Sequence, residues 1–195
     1  RDLQQPILFN SWLDSVGTDQ PFFTFFLLDA PHEPYSYPEE FVKFEPSVND
    51  INYLSLDKHV DIEPFYNHYK NAVNYSDHVI GEFLDTIKKR DLLKNSIIII
   101  TSDHGAEFYE HGFWGHNSAF TKEQVMAPFI LYLPGKGAKK IDAITSHLDI
   151  APTLLELMGS SANHDNHSLG RSLLSNIEEN RNFIVSSGWG ESAII

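Results

Sequence analysis

The chain has 195 residues, 42% of them hydrophobic and 21% charged, which is enough for one α/β domain and too apolar for disorder. Fourteen Lys and Arg stand against 27 Asp and Glu, and the resulting charge of -13 repels phosphate backbones and argues against a nucleic-acid partner. There is no cysteine, so zinc-thiolate centres, disulfides and a thiol nucleophile are excluded within the chain, and no apolar run approaches the ~20 residues of a membrane span.

Pro6 to Val16 repeats apolar residues at helical spacing (Ile7, Leu8, Trp12, Leu13, Val16), and Gly17 follows as a stop, so a short helix is predicted. Phe22 to Leu28, F-F-T-F-F-L-L, reads as a buried strand. It runs into Asp29-Ala30-Pro31-His32-Glu33-Pro34-Tyr35, where prolines on both sides of His32 favour extended backbone. Tyr37 to Ile62 carries Pro38, Pro46 and several acids, and is expected to be a long loop with a helical turn. Pro64 to Lys89 gives the clearest helix, with Phe65, Tyr69, Val73, Ser76, Ile80, Phe83, Leu84 and Ile87 along one face. On that helix His68 and His78 are expected to face solvent, and Asp77 to hydrogen-bond a neighbouring loop.

Ile97 to Ile100 is an unbroken β-branched run, suited to a strand buried on both faces. Together with the Phe22 strand and the long helix it reads as a crossover unit with parallel strands. Thr101-Ser102-Asp103-His104-Gly105 follows at once, and His111 and His116 come next in a loop rich in glycine and aromatics. Phe129 to Leu133 is predicted as a further strand, closed by Pro134-Gly135. Asp149 to Met158 is predicted as a helix, capped by Ser146 or Asp149 and ended by Gly159. Ser160 to Ser168 reads as a polar loop and Phe183 to Val185 as a last strand. One domain over residues 1–195 is expected, and the abrupt ends suggest a piece of a longer protein.

Chemistry in open α/β sheets gathers at the carboxyl ends of strands. Asp103 and His104 sit at such an end, with His116 in the loop beyond and His32 at a second strand end. Carboxylate oxygen and neutral imidazole nitrogen are a ligand set for Zn, Mn or Fe. A lone D-H-G recurs by chance, and any one of the ten histidines can be a surface or capping residue; placement at strand ends is what singles these out. Other chemistries fare worse. There is no G-x-S-x-G elbow, and Ser102, Asp103 and His104 are contiguous and cannot converge as a triad. No phosphate-binding or dinucleotide glycine loop is present, and Glu39-Glu40 is too generic for a glycosidase.

Four blocks, in order, resemble the sulfatase branch of the alkaline phosphatase superfamily. They are Phe22 to Tyr35, ending H-E-P-Y; Tyr69 to Gly105, with D-H-V-I-G-E-F-L-D and I-I-I-I-T-S-D-H-G; Phe120 to Gly135, ending A-P-F-I-L-Y-L-P-G; and Ser146 to Gly159, S-H-L-D-I-A-P-T-L-L-E-L-M-G. The resemblance implies an alkaline phosphatase-like α/β sandwich, a mostly parallel central sheet flanked by helices, of which this chain is the C-terminal portion. It implies metal-dependent hydrolysis of sulfuric or phosphoric esters. Asp103 and His104 would be ligands of a divalent metal (Zn, Mn, Mg or Ca), and His32 and His116 would contact the sulfate or phosphate. His147 is read as structural, capping the helix after it. The family's nucleophile and its acidic ligands are expected upstream, so no catalytic nucleophile is assigned within the chain. Weak or absent metal binding and no turnover are therefore expected of this piece alone. The nearest likeness is to bacterial membrane-anchored members, the phosphoethanolamine transferases and lipoteichoic acid synthases. That implies a periplasmic, extracytoplasmic place at the inner membrane, spans preceding the chain, and a sulfate- or phosphate-ester substrate, lipid-linked esters included. An unpaired sheet edge would favour a homodimer. The alternative is a non-catalytic periplasmic ectodomain of the same fold that binds lipid headgroups or partner proteins.

Overall fold

The computed structural model describes residues 1–160, 168–174 and 181–195. Most of the expected polar loop from Ser160 to Ser168 lies outside the described residues. Helix α1 (Gln4–Val16) forms over the expected span, but the face it buries is Pro6, Phe9 and Leu13, while Ile7, Leu8 and Val16 of the expected apolar set are exposed. Gly17 ends it at φ 73, donating its N–H to Leu13 O at 3.0 Å. Helix α2 (Glu63–Lys89) has proline in its first turn and Lys88 and Lys89 in its last, the arrangement the helix dipole favours. Past its end, Arg90 donates to the Asn10 side chain at 2.8 Å and to Asp14 at 2.5 Å, tying α2 to α1.

Two core clusters lie along α2. Phe9, Leu13 and Ala30 meet Tyr75, Val79 and Phe83 in one; Tyr35, Ile51 and Phe108 meet Ala72 in the other. The buried face of the helix is not the apolar stripe expected from sequence. Val73 is 41% exposed, whereas Asn67, His68, Asn71 and Ser76 are buried. Ser76 lies on the expected face; Asn67, His68 and Asn71 are buried because the loop before the helix packs on them. Asn71 Oδ1 accepts the N–H groups of Lys43 and Phe44 at 2.9 and 2.8 Å, and its Nδ2 donates to Phe44 O at 3.0 Å. Asn67 donates to Pro46 O at 2.9 Å. His68 sits between Tyr37 Oη and Pro34 O, at 2.8 and 3.1 Å, instead of facing solvent. Burial lowers its pKa, so it stays neutral. His78 is half exposed beside Glu82, and Asp77 is exposed. Residues 37–62 are irregular as expected, with 3₁₀ turns at Glu39–Phe41 and Tyr53–Ser55.

Strand β1 (Ile98–Thr101) pairs antiparallel with β4 (Phe129–Tyr132), Ile98 opposite Tyr132 and Thr101 opposite Phe129. Between them come the two-residue hairpin of β2 (Glu107–Phe108) and β3 (Trp114–Gly115) and the short helix α3 (Lys122–Val125). A 3₁₀ turn (His147–Asp149) leads into α4 (Ile150–Leu157). The strand expected at Phe183 begins at Val185 and is not the last: β5 (Val185–Ser187) pairs with β6 (Ser192–Ile194).

Two element-level expectations change. β1 is half-buried rather than buried on both faces, because among the described residues its one ladder neighbour is β4. Residues 22–28 join no ladder among the described residues, so the parallel crossover pairing with β1 is not formed there. Instead one side of that run packs on the helices, Phe26 lying 5.1 Å from the Phe9 ring and 4.1 Å from Phe83. The other side, Phe23, Phe25 and Leu27, is 83, 77 and 72% exposed.

Candidate active site

His32 stands on two successive turns, not on extended backbone. Its N–H reaches Asp29 O at 3.0 Å, and Tyr35 N–H reaches His32 O at 2.8 Å. The turns hold because the buried Asp2 carboxylate takes the N–H groups of Asp29 and Ala30 at 3.0 and 2.9 Å, and because Tyr35 is sunk among His68, Tyr69 and Phe108. Tyr35 Oη donates to Glu33 Oε1 at 3.1 Å; burial first, and then the Glu33 charge, pushes the Tyr35 pKa far up. His32 Nδ1 lies 2.7 Å from Glu33 O. A carbonyl can only accept, so Nδ1 carries the hydrogen and Nε2 is left free.

Asp103 and His104 follow β1 directly. The Asp103 side chain is 88% exposed, and its Oδ2 is 3.6 Å from His104 Nε2. His104 Nδ1 donates to Gly105 O at 2.8 Å, which again leaves Nε2 available. Gly105 is required by close approach. A Cβ there would lie 2.0 Å from Glu123 O, and the Gly105 N–H bonds Gln124 O at 2.9 Å, closing the strand end onto α3.

The loop carrying His116 is built around Glu107, which is fully buried. Its carboxylate accepts from His111 N, Phe113 N, Thr121 Oγ1 and Gln124 Nε2 at 2.9, 3.0, 2.6 and 3.0 Å. Burial pushes its pKa up, but these hydrogen bonds outweigh burial and hold the pKa at about 2. The His116 ring stacks on His104 at 3.9 Å between centroids and stands 6.4 Å from the His32 ring. Burial, and next the repulsion of His104, lowers the His116 pKa, so His116 is neutral near pH 7. His111, near His116 in sequence, turns away to Glu123 at 2.8 Å.

His147 does not cap α4. Ser146 caps the 3₁₀ turn ahead of it, with Asp149 completing a capping box; Asp149 is the N-cap of α4 but makes no side-chain cap bond there, and His147 Nε2 lies 3.3 Å from Thr101 Oγ1. Buried Asp149 is also gripped by Arg181 through two bonds of 2.9 and 2.5 Å.

The structure thus brings His32, His104 and His116 together beside Asp103. The last three line a cleft of about 1630 Å³ whose walls include His147, Phe129 and Arg181. The donor set for a metal is incomplete. Asp103 and His104 present two free donor atoms, and among the described residues no group of three His, Asp or Glu could hold an ion. Three or four protein ligands are usual for a catalytic centre, so no reaction step is assigned through a metal. Sequence reasoning missed Glu33, Trp114 and Glu107. H-E-P-Y did place an acid beside His32, but nothing in the sequence marks Glu107 as buried.

The Sulfatase family model matches residues 6–160, and the chain belongs to that family. A sulfatase of Formosa agariphila is 31% identical over 172 residues, 73% of this chain and 33% of that protein. An endo-4-O-sulfatase of Bacteroides thetaiotaomicron is 27% identical over 161 residues, 76% of this chain and 32% of that protein. Among solved structures, a chain from the glycosaminoglycan metabolism of Bacteroides thetaiotaomicron superposes with TM-score 0.68 at 27% identity, covering 89% of this chain and 38% of that one. Ps i-CgsB, at 19% identity and TM-score 0.68, shows the fold alone, over 99% of this chain and 42% of its own. The mixed helix and strand arrangement is therefore part of the α/β alkaline phosphatase-like sulfatase fold. The chain spans about a third of the length of the curated relatives it matches. Sulfatases generally use a divalent metal.

Proposed function

We propose that this chain is part of a sulfatase-family hydrolase of sulfuric or phosphoric esters, and that His32 and His116 hold the ester's tetrahedral anion. The observation that carries the reading is the convergence of His32 and His116, from segments far apart in sequence, with His104 stacked against His116. Neutral His116 offers one N–H to an anion oxygen, and the His32 ring stands beside it to face the same anion. Sulfated glycans fit the names of the relatives; a phosphate ester, lipid-linked or not, has the same tetrahedral head. Asp103 and His104 are two ligands of a divalent cation (Zn, Mn, Mg or Ca) that this chain alone binds weakly, and the nucleophile lies outside these residues. The same reading includes an extracytoplasmic place at the bacterial inner membrane and self-pairing through the bare side of residues 22–28. Among the described residues, no helix is long and apolar enough to cross a membrane.

The test is a sodium sulfate titration followed through the imidazole NMR signals. His32 and His116 are expected to move together, and His32→Ala and His116→Ala each to weaken binding about tenfold, some 1.4 kcal/mol. If neither histidine responds at saturating sulfate, the reading fails. Zinc or manganese retained at one equivalent after dialysis would show that two donors suffice and would overturn the weak-metal part.

A further inference from the structure

We infer that Glu33 is a positioning residue for this site: its carboxylate couples the His32 turn to the His116 loop and so sets the spacing of the two imidazoles. The inference rests on the anion-binding reading above. Glu33 follows His32 directly, and its Oε1 accepts the Trp114 Nε1–H at 2.7 Å, two residues before His116. The same oxygen accepts from Tyr35 Oη at 3.1 Å, and the Tyr53 hydroxyl also hydrogen-bonds Glu33. Gly115, the residue before His116, lies against the carboxylate: a Cβ there would be 3.3 Å from Oε1. Gly115 sits at φ 74, where a side chain is strained, so glycine suits this close approach to Glu33.

The coupling is rigid on both sides. Trp114 packs edge-on against Phe108, 5.1 Å away, and Phe65, 5.9 Å away, and Phe108 is in the core. Tyr35 is almost wholly buried in the same cluster. Among the described residues no Lys or Arg pairs with Glu33; it bonds the neutral aromatic donors Tyr35, Trp114 and Tyr53. Oε1 is committed to these donors, and a carboxylate repels an anionic ester. Glu33 therefore acts through the histidines and does not touch the substrate. What the contact needs is an acceptor at Oε1, which a carboxamide oxygen also supplies.

The test compares Glu33→Ala and Glu33→Gln by the imidazole signals of His32, His104 and His116, then by sulfate titration. Glu33→Ala is expected to shift the His32 and His116 signals, remove the nuclear Overhauser contact between the stacked His104 and His116 rings, and weaken sulfate at least fivefold, with amide signals of α1 unchanged. Glu33→Gln is expected to restore the ring contact and bind sulfate within twofold of the unmodified chain. Unshifted histidines in Glu33→Ala, or a Glu33→Gln variant as weak as alanine, would overturn the inference. If the alanine variant does not fold, Trp114→Phe, which removes the Nε1 donor and keeps an aromatic ring, must displace the His116 signals; unmoved signals there also sink it. Failure of the anion reading looks different. Sulfate then leaves the histidines of the unmodified chain still, while the sulfate-free spectra of the variants continue to decide the role of Glu33.

Discussion

Glu107 anchors the His116 loop from inside. Two N–H groups, a hydroxyl and a carboxamide converge on it in a site without solvent. Its pKa falls from an ordinary 4.5 to about 2, so the folded state binds the proton more weakly than the unfolded chain does. The stability this contributes is complete above pH 4.5 and is lost as pH falls toward 2. Glu107→Gln leaves part of that set facing an amide N–H₂ and should cost about 3 kcal/mol at neutral pH. Acid unfolding followed by circular dichroism should show a flatter stability profile between pH 5 and 2 in that variant. An unchanged profile would mean that the carboxylate is not the titrating anchor. No sequence rule distinguishes such an acid from a solvated one. Its burial comes from Thr121 and Gln124, which reach it only after the loop has folded back. The sequence put His104 at a strand end and His116 in the loop beyond, but nothing in it shows that their rings stack, a contact made only when that loop folds back.

At the scale of elements, α2 shows what a hydrophobic pattern sees and what it omits. Its length and both ends were legible, because proline at the start and a basic last turn mark them locally. Its buried face was not, because Asn67, His68 and Asn71 count as polar in any periodicity and are buried through backbone groups and the Tyr37 side chain of the preceding loop. The Ile97 to Ile100 run was legible as a strand but not in its neighbours, since pairing partners are not encoded in a run of isoleucines. Two glycines give opposite expectations. Gly105→Ala drives a methyl into the Glu123 carbonyl and should detach the end of β1 from α3, costing more than ~2 kcal/mol and roughly 4–8 °C in Tm. Gly81→Ala, inside α2 with open space around it, should stabilise by about 0.5–1 kcal/mol. Differential scanning calorimetry of the two variants checks both signs; a Gly105→Ala chain as stable as its parent would contradict the close packing.

At the scale of the whole molecule, an acidic surface and an apolar strip pull in opposite directions. The charge of -13 keeps copies apart, while Phe23, Phe25 and Leu27 present a bare face that water disfavours. Salt screens the first term and leaves the second. Sedimentation velocity should therefore show association that grows between ~0.05 and ~0.5 M NaCl, and Phe23→Ser with Phe25→Ser should abolish the growth. Association that weakens with salt would point to charge pairing instead.

The 27-residue α2, about 40 Å long, has a consequence for how the molecule comes apart. Both core clusters grip the same uninterrupted rod, one through Ala72 and the other through Tyr75, Val79 and Phe83, within three turns of each other. Neither cluster can lose its partner without fraying the backbone hydrogen bonds that the other relies on. The turn that presents His32 and the hairpin that presents His116 should therefore unfold together with the α1 layer, and amide exchange protection in the two halves is expected to rise and fall together across destabilising variants. The site inherits its order from a helix that contributes no side chain to it.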